Sequence, residues 1–219
     1  HRYETALSYR DIQRARGGLE WEAGYNFVMM SLIEIEDPGL LVLPYHRVIK
    51  GLSIGQQEEI LRLIHENFDV EHMATETGVK RNTGSYLEGH IEQGLGDKVV
   101  IGLLRNGEQD ASVLTFRHPV GDFASPLEKC ATLVLDTQII GPILGTQQKA
   151  VENGTLAYTH DAREVGALVN SGDYQMGFLL PSLSLNVFEE VVLCGDRLPI
   201  KSTYFSPKLP TGLVINRLI

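Results

Sequence analysis

The sequence predicts an α/β or α+β domain in which helices flank a mixed sheet. Apolar segments typical of strands alternate with segments of helical spacing over most of the 219 residues. The apolar fraction, 43%, and the charged fraction, 21%, are those of ordinary globular proteins. No internal repeat or low-complexity linker interrupts the alternation. We therefore expect residues 1–219 to form a single domain.

The first 16 residues predict a helix, because Ala6, Tyr9 and Ile12 follow helical spacing and Gly17-Gly18 ends the pattern. This helix begins inside a charged motif, His1-Arg2-Tyr3, with no initiator methionine before it. We expect the chain to be a fragment of a longer protein, without the N-terminal half of that protein. The fragment alone is then expected to be inactive.

Two strands are predicted next. Residues 25–35 are rich in β-branched, Met and aromatic side chains and end at the turn signal Asp37-Pro38-Gly39. Residues 40–43 predict a second, buried strand. Pro44-Tyr45-His46-Arg47 follows it and is predicted to be a polar loop at the end of that strand.

Most of the remaining segments predict helices. Ser53 and Gln56 have the spacing of a capping box, and Ser184 is expected to cap a later helix. Residues 72–97 predict an exposed excursion with a short helix near 87–93. The other expected elements are a hairpin of 99–104 with 112–116, a buried helix over 131–144, a helix after the Asp161 cap, and a strand over 176–180.

The charge balance disfavours binding to nucleic acid. The chain has 19 Lys and Arg against 28 Asp and Glu, a net charge of −9, and lacks a dense basic stretch to neutralise phosphates. No apolar run approaches the roughly 18–20 residues that span a bilayer. Cys130 and Cys194 have no metal-binding spacing and are expected to be reduced thiols of a cytoplasmic protein, with an isolated disulfide as the alternative.

Three polar clusters combine cations with hydroxyl or imidazole groups. In the first, His1 and Arg2 start a helix, where an anion is favoured, although a frayed helix with a solvated Arg is the alternative. In the second, His46 could transfer a proton and Arg47 could bind a phosphate, or both could belong to an ordinary surface loop.

The third cluster is the proline-rich stretch 199–208. Its two lysines and several hydroxyls could surround an oxyanion, and the residues concerned are Lys201, Ser202, Thr203 and Lys208. The spacing is not that of a P-loop. The alternative is a stiff connection with a tyrosine packed on the core.

Several motifs are excluded. His65, Glu66 and His72 lack the HExxH spacing, so no metal site is predicted, and no G-x-S-x-G elbow occurs. The carboxylates Glu34, Glu36, Asp37 and Asp136 could include a general base, but such groups are more often solvated or capping.

Three segments resemble the C-terminal half of the domain-of-unknown-function one-thousand-and-fifteen family of bacteria and archaea. They are HRYETALSYRD, YNFVMMSLIEIEDPGLLVLPYHRVI and LPIKSTYFSPKLPTGLVIN. The family's first motif reads Asp-Gly-His-His-Arg-Tyr-Glu-Thr-Ala, and this chain carries it from the second histidine, His1. The motif is similar to the phosphate-binding box of the ParB/sulfiredoxin-like superfamily, which includes free-serine kinases.

This resemblance implies nucleotide-dependent phosphoryl transfer to a small hydroxyl substrate such as free serine, with Mg²⁺ and ATP or ADP. It places His1 and Arg2 at the phosphate-facing end of the motif. His46, Arg47, Lys201, Ser202 and Lys208 match family motifs without an assigned role, and the catalytic base is expected upstream. A non-catalytic nucleotide- or metabolite-sensing module is the alternative, and a ParB-like DNA-associated protein is disfavoured by the acidic balance.

Overall fold

The computed structural model of the protein describes residues 2–18, 20–73, 83–93, 98–108, 110–117, 125–208 and 215. The chain divides into two compact units: residues 1–40 with 207–219, and residues 41–206. The prediction of one domain over 1–219 stays a prediction. In the described residues, no helix has both the length and the apolar character needed to cross a membrane.

The helices of the described residues are α1 (Arg2–Ala15), α2 (Ile54–Asn67), α3 (Thr83–Gln93), α4 (Ala131–Leu135), α5 (Gly141–Leu144), α6 (Gln147–Glu152), α7 (Ala162–Ser171) and α8 (Leu185–Leu193). A π-helical turn, Asp136–Ile140, joins α4 to α5, so the predicted helix over 131–144 is confirmed. The capping box of Ser53 and Gln56 is present at the start of α2, and the Ser184 hydroxyl accepts the N–H of Val187 at the start of α8.

The strands are β1 (Leu41–Leu43), β2 (His46–Ile49), β3 (Phe68–Met73), β4 (Val100–Arg105), β5 (Ala111–Phe116), β6 (Leu156–Thr159), β7 (Met176–Leu179) and β8 (Tyr204–Ser206). Six of them form one sheet in the order β3-β5-β4-β7-β2-β6, and β1 pairs with β8. The predicted hairpin, β4 with β5, and the predicted strand β7 are confirmed.

The prediction of an α/β or α+β domain with flanking helices is confirmed, but the expected mixture of strand directions is wrong. Every pairing described in the six-stranded sheet is antiparallel. The physical reason lies in the β6–α7–β7 crossover. It joins two strands that run in the same direction, yet β2 lies between them and pairs antiparallel with both. Alternating helices and strands therefore did not produce parallel neighbours.

The sheet is covered on both faces. Ile49 of β2 belongs to a core that includes Ile60 of α2 and Ile139 of the π-helical turn. Its neighbour Val48 belongs to a second core with Leu87 of α3 and Val165 of α7. Because successive side chains of a strand point to opposite faces, the two polar residues that begin β2 also face opposite layers.

The unit formed by residues 1–40 and 207–219 contains α1, which confirms the predicted first helix. The guanidinium of Arg14 in α1 donates to the side-chain oxygen of Asn26 at 2.8 Å, and Asn26 lies in a 3-10 turn over Gly24–Asn26. The predicted strand over 25–35 is wrong. Most of its apolar side chains are exposed, and no strand pairs with it among the described residues.

Candidate functional site

Two of the three predicted polar clusters meet at one end of the six-stranded sheet. β2 begins there with His46 and Arg47. The guanidinium of Arg47 donates to the carbonyl of Lys201 at 3.1 Å and to the carbonyl of Ile200 at 3.5 Å. The turn that carries Lys201 is thereby anchored on β2. We call this region the polar end; it comprises Tyr45, His46, Thr159, His160, Lys201 and Tyr204.

The predicted polar loop over 44–47 is wrong in part, because His46 and Arg47 are strand residues whose side chains are fully buried. The alternation of β2 starts at His46, two residues after Pro44, and continues through Val48 and Ile49. His46 lies opposite Thr159 and Arg47 opposite Tyr158 in the ladder. The two polar side chains therefore reach opposite layers of the domain.

Arg47 is engaged inside the protein. Besides the two carbonyls of the turn, it donates to the carbonyl of Tyr45, lies 3.6 Å from the Asp136 carboxylate, and stacks 5.3 Å from the ring centre of Tyr158. Burial lowers the pKa of Arg47, and the Asp136 carboxylate opposes that change. Burial raises the pKa of Asp136, against the charge of Arg47. These contacts suit a structural role in which Arg47 holds the polar end in place.

His46 reaches the layer formed by α3 and α7. The backbone N–H of Leu180 donates to Nδ1 of His46 at 3.1 Å. Nε2 lies 3.2 Å from a carboxylate oxygen of Glu88 on α3. That approach is not aligned as a hydrogen bond, so Nε2 has no hydrogen-bond partner among the described residues. Glu88 itself is about one-third exposed, at 32% of its side chain.

The turn at Lys201 has an uncommon backbone conformation. Its φ of +59° lies in the left-handed region, and Lys201 is the only non-glycine residue with positive φ in the described chain. The Ser202 hydroxyl donates to the carbonyl of Pro199 at 2.7 Å and is buried, while Thr203 is half-buried. The Lys201 side chain is exposed, and its ammonium lies 4.6 Å from the ring centre of Tyr45.

The Tyr45 ring beside this lysine continues into a series of aromatic contacts. His160 stacks on Tyr204 with ring centres 4.5 Å apart and an interplanar angle of 14°. Tyr45 meets Tyr204 edge-on at 5.6 Å. A cation beside aromatic rings is an arrangement that can bind an anionic ligand with a flat ring.

The remaining predicted residues are not part of this region. His1 lies outside the described residues. Arg2 begins α1, but its side chain is not among those described. Lys208 is exposed and belongs to the same unit as α1. Both cysteines are free, with Cys130 buried and Cys194 exposed.

A magnesium cage does not fit the described residues, which contain no group of three or more His, Cys, Asp or Glu side chains able to hold a metal. Mg²⁺ commonly keeps several waters and is bound through one or two carboxylates together with substrate phosphates.

Sequence reasoning missed Glu88 and the ring of His160. Residues 72–97 were expected to be mainly exposed, yet α3 extends over Thr83–Gln93 and buries Leu87 and Ile91. The spacing of those two residues is helical and is the signal that could have placed Glu88 on a packed helix. His160 follows β6 directly and offers no comparable pattern.

No curated protein matches the chain. Among solved structures, the chain is similar to a conserved hypothetical protein from Pyrococcus furiosus, with 16% identity and a TM-score of 0.47. The match covers 82% of this chain and 62% of that protein's chain. A free serine kinase in complex with AMP has 18% identity and a TM-score of 0.40, covering 80% of this chain and 57% of its own. The chain thus spans less than two thirds of these proteins.

A further free serine kinase structure, a mutant in complex with ADP, has 14% identity and a TM-score of 0.44, with 80% of this chain and 57% of its own covered. The family model described as "Protein of unknown function (DUF1015)" matches residues 1–125. Those 125 residues are more than half of the 219. The chain therefore belongs to the DUF1015 family.

Proposed function

We propose that the protein catalyses nucleotide-dependent phosphoryl transfer to a small hydroxyl substrate in the cytoplasm, with free serine as the expected acceptor and ATP or ADP as the donor. The chain would then supply the C-terminal portion of a ParB/sulfiredoxin-like protein. The proposal is supported by the motif that begins at His1 and by the chemistry of the polar end.

The observation that carries the proposal is the conformation of Lys201. A left-handed backbone at a lysine costs about 1–3 kcal/mol and persists only where surrounding contacts enforce it. Here Arg47 holds the Lys201 carbonyl and Ser202 closes the turn on Pro199. Among the described residues, no carboxylate forms an ion pair with Lys201. Its charge is therefore available to a ligand.

Phosphoryl transfer depends chiefly on positioning and on neutralising the charge of the nonbridging oxygens. Lys201 is suited to neutralise a phosphate, and the rings of Tyr45 and His160 are suited to contact a nucleobase. Arg47 and Ser202 hold the turn, with Thr203 beside them. The family resemblance adds two further phosphate-binding cations, Arg2 and Lys208, which belong to the other unit. It also makes His1 and His46 candidates for a catalytic role.

The test incubates this chain, and the protein at its natural length, with serine, Mg²⁺ and ATP or ADP, and follows phosphoserine by ³¹P NMR. We expect transfer by the natural-length protein, and a decrease in kcat on the order of 100-fold for Lys201→Met. Lys50→Met is the matched control, because Lys50 also lies over a tyrosine ring, Tyr174, at 5.1 Å.

Absence of a phosphorylated acceptor with either nucleotide would refute the serine kinase. Nucleotide binding without transfer, measured by calorimetry, would instead identify the sensing module. Arg2→Ala and Lys201→Ala separate the two, because a kinase loses turnover in both variants, whereas a sensor loses only affinity. Salt-dependent binding to duplex DNA would favour the DNA-associated alternative.

A further inference from the structure

The unit that contains α1 has no hydrophobic core of its own. None of its described side chains is buried, and the two hydrophobic cores of the protein consist of residues from Val48 onwards. Burial of apolar surface is the main source of stability, and a piece of about 40 residues seldom folds unless something else completes its core. The apolar side chains of this unit therefore need cover that the described part of the chain does not provide.

Residues 27–33 are a nearly continuous apolar run in this unit, and we call them the open segment. No helix or turn forms over them, and no backbone hydrogen bond involves residues 28–33 in the described structure. The six apolar side chains of the open segment are 41% to 88% exposed, and they are Phe27, Val28, Met29, Met30, Leu32 and Ile33. A contiguous apolar surface of this kind marks an interaction site.

Hydrogen bonds define the chain at both ends of the open segment. Before it, the side-chain amide of Asn26 donates to the carbonyl of Glu20 at 2.8 Å. After it, the N–H of Asp37 donates to the carbonyl of Glu34 at 3.1 Å, and the Asp37 carboxylate accepts the N–H of Gly39 at 2.7 Å. The open segment therefore connects two defined turns and is not a frayed chain end.

The pattern of the open segment is that of a strand buried on both faces. Paired as a strand, it would place Phe27 and Met29 on one face and Val28 and Met30 on the other. Near-continuous apolar runs are typical of parallel strands inside a covered sheet. A symmetric pair of copies would join one edge of each segment and leave the other edge open. The occupant must therefore cover two faces, which favours a part of the same fold over a second copy.

The helix before the open segment indicates where that part lies in the chain. Parallel neighbours are joined by a crossover of a dozen or more residues, usually a helix, and α1 has 14 residues. Tyr9 and Ile12 are three residues apart on one side of α1, and both are exposed. This side is available to pack on a sheet. A helix followed by a strand is the second part of such a crossover unit, so the matching strand precedes α1.

We propose that residues 2–40 form a docking surface for the upstream portion of the natural-length protein, and that a strand preceding α1 pairs in parallel with the open segment. This inference rests on the proposed function, in which the chain is the C-terminal portion of a longer protein. The upstream strand covers one edge of the open segment, α1 covers a face through Tyr9 and Ile12, and other upstream residues complete the core.

Hydrogen exchange at the amides of residues 28–33 is the first test. We expect fast exchange in this chain and exchange slower by about 100-fold or more in the natural-length protein, with β4 slow in both as the reference. Fast exchange in the natural-length protein overturns the proposal. Slow exchange in this chain also overturns it: protection that depends on concentration identifies a second copy as the occupant, and protection that does not shows that the chain covers the segment itself.

Leu32→Lys is the second test, made in both proteins. Leu32 is 88% exposed in this chain, so the melting temperature of the chain should be unchanged. In the natural-length protein the lysine would be buried without a partner, and the melting temperature should fall by about 10 °C. Leu193→Lys is the matched control, because Leu193 is 78% exposed on α8 and should tolerate the change in both proteins. Equal shifts for the two variants in the natural-length protein would overturn the docking surface.

The phosphoserine assay separates this inference from the proposed function. A natural-length protein that protects residues 28–33 but forms no phosphoserine refutes the serine kinase and leaves the docking surface intact. An active natural-length protein in which these amides exchange fast refutes the docking surface alone.

Discussion

Gly84 and Ala162 are in direct backbone contact where α3 crosses α7. A Cβ atom on residue 84 would lie 1.8 Å from the Ala162 carbonyl oxygen, far inside any van der Waals contact. Gly166, one turn along α7, is also close, since a Cβ atom on it would come within 3.2 Å of the Gly84 nitrogen. The contact holds α3 against the layer that contains His46 and so determines where Glu88 stands.

Gly84→Ala is therefore expected to separate the two helices. The free energy of unfolding should fall by about 3 kcal/mol, as for other overpacked cores, and the distance from Glu88 to His46 should increase. Gly89→Ala is the matched control on the same helix, because a Cβ atom there meets nothing within 4 Å. It should raise stability by up to about 1 kcal/mol through helix propensity. Urea denaturation of both variants decides the matter, and equal stabilities would contradict the contact.

Lys201 is expected to lower stability while serving the ligand. Lys201→Gly relieves the left-handed strain but gives the unfolded chain more freedom, so its stability should match or exceed that of the wild type by up to about 1 kcal/mol. Lys201→Ala keeps the strain and should be less stable than Lys201→Gly by about 1 kcal/mol. Both should lose nucleotide affinity in calorimetry. A destabilised Lys201→Gly would show that the turn is unstrained.

Arg47 is expected to be essential for folding. Removing one partner of a buried charge pair typically costs about 3–5 kcal/mol, and Arg47→Met would also leave the carbonyls of Tyr45, Ile200 and Lys201 without their donor. Arg62→Met provides the contrast, because Arg62 pairs with Glu59 and Glu66 on the exposed surface of α2 and should change stability little. Chemical denaturation compares the two. A mild effect of Arg47→Met would contradict the bracing role.

The fold was predictable from the sequence where local signals and tertiary packing agree. The Ser53 capping box, the Ser184 cap and the apolar run over 131–144 each produced the expected helix. These signals act within one or two turns of the chain. The strand predicted over 25–35 failed because β-propensity needs a pairing partner, and no strand pairs with that segment among the described residues.

The site was less predictable because its contacts join residues distant in sequence. Arg47 and Lys201 were both identified as polar candidates, yet their hydrogen bond spans 154 positions and has no periodicity to indicate it. Asp136 was noted only as one carboxylate among several. The structural role of His46 and Arg47 also differs from the predicted one. The sequence of a polar pair does not show whether it lies in a surface loop or in a buried strand.

Asp136 should make stability depend on pH in a direction opposite to that of an ordinary ion-paired carboxylate. Burial raises its pKa in the folded protein above the ordinary value of 3.8, despite the opposing charge of Arg47. The folded state therefore holds this proton more tightly than the unfolded state does. The contribution of Asp136 to stability is full below about pH 3.8 and is lost as the pH rises through the raised pKa.

Comparing the wild type with Asp136→Asn isolates this contribution, because the other carboxylates titrate alike in both proteins and cancel in the difference between their free energies of unfolding. The substitution also removes the counter-charge of Arg47, which adds a constant offset to that difference. The free energy of unfolding of the wild type, minus that of the variant, should decrease between pH 4 and pH 7 in urea titrations. Asp161→Asn should show the opposite slope, since hydrogen bonding from Arg163 lowers the pKa of Asp161. A difference for Asp136 that grows with pH would mean that the charge of Arg47 outweighs burial in setting the pKa of Asp136. The ionised pair would then stabilise the folded protein.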